Sequence, residues 1–143
     1  MNMKSDSLDP KVWLFCGSPD LASAAVPDAS AMDGGYIMVL VLQSGAPRII
    51  ATRFPGRNVT SWKTQTTRYG GESLTTVMVT NVHQRYLNIK RLLTQHLAAP
   101  DNPQVDLPLN VDQIVNQVTE LFRQLTPVGT PGQRRATDLA IQL

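Results

Sequence analysis

Residues 36–42 read Tyr-Ile-Met-Val-Leu-Val-Leu, seven apolar positions in a row between Gly35 and the turn-prone Gln43-Ser44-Gly45-Ala46-Pro47. A strand with one wet face would alternate, so an unbroken run of this length predicts a β-strand covered on both faces. Residues 48–52 (Arg-Ile-Ile-Ala-Thr) follow as a second short strand, and the short glycine-containing loop between them predicts a hairpin. Phe54-Pro55-Gly56 then breaks the extended chain. Residues 58–68 place Val59 and Trp62 among many threonines, a weak helix by propensity that Gly70-Gly71 should end. A third strand is expected over 74–80, β-branched and partly alternating. Val82, Tyr86, Ile89, Leu93 and Leu97 recur at steps of three and four, predicting an amphipathic helix that Asn81 can cap and Pro100-Asp101-Asn102-Pro103 stops. The sharpest pattern is the last: Val111, Ile114, Val115, Val118, Leu121, Phe122 and Leu125 line one helical face. Asn110 and Gln113 before and within its first turn approach a capping box.

Ahead of this block, Val12-Trp13-Leu14-Phe15 is a short apolar stretch expected to pack as a strand or anchored arm, with loop from there to Gly35. Strands followed by helices, with one candidate crossover, predict an α+β sandwich of a small sheet against helices. The expected organisation is a partly ordered N-terminal arm over 1–33, one α+β domain over 34–126 and a flexible tail over 127–143 that includes Arg134-Arg135.

Composition narrows the class. In 143 residues there is one cysteine, Cys16, so an intramolecular disulfide and a cysteine-rich zinc module are both excluded. No apolar run approaches the roughly 20 residues of a membrane-spanning helix. No secretory signal is visible at the start, and a reducing, cytoplasmic setting without membrane partners is the expectation. Charge changes the picture more. The net +2 hides a basic middle: residues 34–100 hold Arg48, Arg53, Arg57, Lys63, Arg68, Arg85, Lys90 and Arg91 against Glu72 alone, while both ends are net acidic. Eight cations cannot be neutralised by one neighbouring carboxylate, so the folded middle should project a positive potential that attracts polyanions. Six of the eight are arginine, whose planar fork suits phosphate, and Thr60, Ser61, Thr64, Thr66 and Thr67 lie among them as neutral donors.

Gly35-Tyr36-Ile37 opening the first strand, then the second strand, then residues 51–57 (Ala-Thr-Arg-Phe-Pro-Gly-Arg) leading into a helix, resembles the GIY-YIG nuclease superfamily, in particular its phage and mobile-element branch. The resemblance spans roughly residues 35–125 and includes the order of the later strand and helices. It implies a three-stranded antiparallel sheet flanked by helices and divalent-metal-dependent DNA cleavage, with tyrosines and an arginine around the scissile phosphate and a carboxylate holding the cation. Tyr36 matches the first-strand tyrosine, and Arg57 or Arg53 stands at the arginine position. The second-strand tyrosine falls at Ile49 or Ile50 and its glycine at Ala51. Residues 82–97 contain no Asp or Glu, and a shifted alignment puts Asn88 or Lys90 at the metal ligand. An amide brings no charge to replace a carboxylate, and lysine repels the ion. Phosphate binding is therefore expected to outlive cleavage on such a scaffold.

The expected function is nucleic-acid binding, duplex DNA favoured over RNA, through Arg53, Arg57, Lys63, Arg68, Arg85, Lys90 and Arg91, without cleavage, metal or cofactor. One alternative is an active Mg²⁺-dependent nuclease using Tyr36, Arg57 and Glu72. The other is a regulator or inhibitor of a mobile element whose basic face meets an acidic protein. Trp62, Tyr69 and Tyr86 lie among the cations as candidate stacking residues, with core packing the stronger reading for Trp62. His83 and His96 are too badly spaced to share a helical face as metal ligands, and Cys16 reads as a small packed residue rather than a nucleophile.

Overall fold

The computed structural model describes residues 8–96 and 110–126. The chain runs β1 (Trp13–Gly17), α1 (Pro19–Ala25), β2 (Tyr36–Leu42), β3 (Pro47–Thr52), α2 (Pro55–Tyr69), β4 (Leu74–Thr80), α3 (Tyr86–His96) and α4 (Val111–Leu125). The sheet has four strands in the order β1-β4-β2-β3, every pair antiparallel. The α+β class stands, and the expected three strands become four.

The central strand explains the unbroken apolar run. Alternate residues of β2 point to opposite faces: Ile37 and Val39 enter one buried cluster, Tyr36, Met38 and Leu40 the other. On the first face α3 and α4 supply Ile89, Leu93, Ile114, Val115, Val118, Leu121 and Phe122. On the second, α1 and α2 supply Ala22 and Val59. The sheet is thus covered by a pair of helices on each side.

Residues 13–25, expected as a short strand or anchored arm followed by loop, build part of this sandwich, and the strand is the form taken. Trp13 pairs with Thr80 and Phe15 with Val79, with a bulge at Leu14, and the Trp13 indole N–H donates to Thr119 Oγ1 of α4 at 2.9 Å. The loop expected after β1 contains α1 instead: Ser18 caps it by accepting from the Leu21 N–H, and Pro19 sits in its first turn. The β2–β3 hairpin closes over residues 43–46 with Gly45 at φ 93°.

α3 starts four residues later than the apolar steps suggest. Asn81 does not cap it; its amide donates to the Pro10 and Lys11 carbonyls and fastens the segment before β1. His83 forms a two-way backbone bridge with Gly35 (2.8 and 3.1 Å), which holds 82–85 out of helical geometry. Only glycine fits at Gly35, because a Cβ there would lie 2.5 Å from the Tyr86 ring. α4 carries the full capping box: the Asn110 side chain accepts from the Gln113 N–H, and the Gln113 side chain from the Asn110 N–H, both at 2.9 Å. Leu97, the 100–103 stop and the tail from 127 lie outside the described residues.

Candidate nucleic-acid interface

The cations of the basic middle sort by element. Arg48 lies on the edge strand β3 and donates to the Pro47 carbonyl. Arg53 closes the passage from β3 to α2. Arg57, Lys63 and Arg68 are on α2; Arg85 precedes α3, and Lys90 and Arg91 are on it. Because α2 packs in one cluster and α3 in the other, Arg57, Lys63 and Arg68 stand on one side of the sheet and Lys90 and Arg91 on the opposite side. The seven expected contact residues therefore form two groups, not one continuous surface.

The α2 group has the more definite geometry. Phe54 precedes the helix, and the guanidinium carbons of Arg53 and Arg57 sit 5.2 and 4.6 Å from the centre of its ring. Cation–π attraction to a shared ring holds two positive groups that would otherwise repel. Arg53 is further fixed by donating to the Ala29 carbonyl at 3.3 Å. Along α2, buried Val59 and half-buried Trp62 and Thr66 define the inner face, so at 100° per residue Arg57, Ser61, Thr64 and Arg68 form the outer stripe, all exposed. Neither α2 nor α3 contains an Asp or Glu.

Between described residues two ion pairs form: Lys63 with Asp20 of α1, and Arg123 with Asp9 (2.5 Å). The second, reinforced by the Lys11 N–H, holds the Asp9 carboxyl below its usual range. Of the seven expected contact residues, Lys63 alone is paired with a described carboxylate. Glu72 accepts from the Ser44 N–H at 2.7 Å, at the hairpin end of the sheet.

The candidate nuclease residues do not converge. Tyr36 is 3% exposed, and its hydroxyl donates to the Pro27 carbonyl at 2.7 Å. Burial, with Asp28 and Asp33 nearby, pushes that phenol above its ordinary range. Tyr36 pairs with Thr52 at the α2 end of β2, whereas Leu42 pairs with Leu74, next to Glu72, at the other end. Six strand residues separate those ends by about 20 Å. Arg57 is at the Tyr36 end, far from Glu72. These residues do not fit a divalent-cation site, and among the described residues no three His, Cys, Asp or Glu side chains gather into one.

The remaining candidates also find places. Trp62 is half-buried and donates its indole N–H to the Glu72 carbonyl at 3.0 Å, and Tyr86 is half-buried under Gly35. Tyr69 is 80% exposed. Cys16 is partly buried on β1, which raises its thiol pKa. His83 is 5% exposed: Nδ1 accepts from the Arg85 N–H at 2.9 Å, and Nε2 faces the Phe122 carbonyl at 3.2 Å. That pattern fixes the neutral tautomer with the proton on Nε2, and burial lowers the imidazole pKa below 6.5. The pairing of Arg53 and Arg57 through Phe54 is absent from the sequence-based expectation, although arginines one residue before and three after an aromatic at a helix start are its local signal. No described helix is long and apolar enough to cross a membrane. No family model matches the chain, and none of the curated proteins or solved structures compared with it does.

Proposed function

We propose that this protein binds nucleic acid through backbone phosphates and does not cleave it, with the contact centred on the start and outer stripe of α2. The observation that carries this reading is the pair of guanidiniums held on one Phe54 ring, with no carboxylate partner among the described residues. Guanidiniums restrained on a shared ring lose less conformational entropy on meeting phosphate oxygens, and each presents a bidentate fork to them. The α2 backbone adds to the field: Phe54 supplies no side-chain cap to its first turn, so the positive helix end is unanswered there. Ser61 and Thr64 place hydroxyl donors between Arg57 and Arg68 on the same stripe.

The test is fluorescence anisotropy with labelled duplex DNA, single-stranded DNA and RNA across a salt series. With Arg53, Arg57 and Arg68 each neutralising one phosphate, log K falls with log salt at a slope of about −3 for a duplex and about −2 for a single strand. The Arg53→Glu/Arg57→Glu double variant abolishes binding; it loses the Arg53–Ala29 bond and both contacts to Phe54, so circular dichroism checks that it stays folded. A flat salt response, or full affinity in the double variant, removes this reading.

A further inference from the structure

We infer that the nucleic acid held on α2 is single-stranded and stacks an unpaired base on Tyr69; this rests on the phosphate-binding reading above. Of the three aromatics that lie among the cations, Trp62 and Tyr86 are taken up in packing and Tyr69 is not. Its ring is 80% exposed at the last residue of α2, directly after Arg68. Exposing an aromatic ring this fully forgoes burial that such side chains ordinarily gain. The two residues that follow leave it uncovered: Gly70 and Gly71 have positive φ (82° and 108°), and a Cβ at either would meet nothing within 4 Å. With 80% of Tyr69 in solvent, its side chain is open to a flat group. A shallow cavity of about 290 Å³ opens at the same place, lined by Thr60, Ser61, Thr64, Gln65, Arg68 and Tyr69. Every lining residue but the arginine and the tyrosine is a neutral hydrogen-bonding side chain, which tolerates any base edge.

The geometry of the charges points the same way. A duplex presents phosphates over a broad cylinder and hides its base faces in its own stack, so it offers Tyr69 nothing to cover. The cations of α3, which a wide ligand would need, stand on the far side of the sheet. The α2 stripe is one helix wide and about 16 Å long from Arg57 to Arg68 at 1.5 Å per residue. That suits one strand running lengthwise: phosphates at Arg53 and Arg57, hydroxyl contacts in the middle, and a phosphate at Arg68 with its base turned onto Tyr69.

Anisotropy titrations with labelled oligodeoxythymidine, oligouridine and a mixed-sequence duplex test this. The single strands bind more tightly than the duplex. Tyr69→Ala weakens their binding about tenfold, the effect of losing one base–aromatic stack, and leaves duplex affinity unchanged. Tyr69→Phe keeps the ring and retains wild-type binding, and the exposed position keeps all variants folded. The tighter of the two oligonucleotides identifies the polymer, DNA or RNA. A duplex bound as tightly as the single strands, or an unchanged affinity in Tyr69→Ala, overturns the single-strand inference while phosphate binding stands. Failure of every polymer to bind overturns both.

Discussion

The two faces of the sheet are built to different standards. On one, α3 and α4 send Ile89, Leu93, Ile114 and Val118 into contact with β2 and β4 with no exposure at all, and Val115, Leu121 and Phe122 fill between them. On the other, α1 contributes Ala22, and the 15-residue α2 buries one aliphatic side chain, Val59, with Pro55 at its start. Helix α2 also contains Thr60, Ser61, Thr64, Thr66 and Thr67, residues with weak helix preference because of stiff χ1 angles or competing backbone hydrogen bonds. Ten of the fifteen α4 residues are buried or half-buried, against six of the fifteen in α2. The outer stripe of α2 is arginine and hydroxyl, and its last residue is an exposed tyrosine. Where a segment departs from the choices that would stabilise it, a ligand-facing role is the economical explanation.

Core truncations break or sharpen that contrast most strongly. Leu93→Ala removes a fully buried side chain from the α3/α4 face and should cost about 2–5 kcal/mol. Val59→Ala removes less hydrocarbon from a sparser cluster and should cost about 2 kcal/mol. Urea unfolding measures both. Hydrogen exchange gives a second view, with α2 amides opening at lower free energy than those of α4. Equal losses in the two variants, or equal protection, would mean that α2 is held by the core as firmly as α4 is.

The second difference is titratable. His83 joins the turn before α3 to the end of α4, and it does so only when neutral. Nδ1 must accept from the Arg85 N–H, while Nε2–H faces the Phe122 carbonyl and the Thr126 hydroxyl. Burial and the Arg85 charge both oppose protonation; Lys11 and Asp33 line the same cavity. With the folded pKa below 6.5, the unfolded chain takes up the proton first. The stabilisation is therefore complete above 6.5 and is lost as pH falls from there toward the folded value. Asp9 acts in a separate window: its lowered pKa stabilises above 3.8 and fades as pH falls below that. Unfolding free energies at pH about 7.5 and about 5.5 isolate the histidine. The wild type loses stability over this interval and His83→Gln does not. A wild type insensitive to pH there would show that the imidazole is not held neutral. The α1/α2 face holds no histidine, so variants such as Val59→Ala should keep the wild-type pH dependence.

The sequence pattern reveals the face that packing dictates better than the face that it does not. β2, β4 and α4 follow from an apolar run, a β-branched stretch and a 3.6-residue period, because each signal is repeated along the element. Strand β1 is visible as Val12 to Phe15, but its place beside β4 is not: it is an edge strand of five residues paired across 60 or more positions. Helix α1 escapes a reading by apolar period even though Ser18-Pro19-Asp20 is an N-cap, a first-turn proline and an acid at the positive helix end. Val82 lengthens the apparent α3 because it falls one step before Tyr86, and nothing local shows that His83 is bound to Gly35. At the candidate site, residue types and the lack of acids can be read directly. Which cations share a side cannot, since that depends on which face each helix covers.

The smallest expected effect tests the charge argument by its sign. Asp20 of α1 engages Lys63 of α2, and both side chains are largely in solvent, so the pair adds little to folding. Asp20 also lies in the first turn of α1, where a negative charge meets the positive helix end. Asp20→Asn should therefore cost under about 1 kcal/mol in stability from the two contributions together. Removing the same carboxylate frees Lys63 beside the α2 stripe, so affinity for oligodeoxythymidine should rise about twofold to threefold at low salt. The gain should vanish as salt screens exposed charges. Lys63→Gln keeps Asp20 and should lower affinity instead. A slightly less stable protein that binds more tightly separates charge from packing on this face. If Asp20→Asn leaves affinity unchanged at low salt, Lys63 is not part of the surface and contact is limited to the arginines around Phe54 and Tyr69.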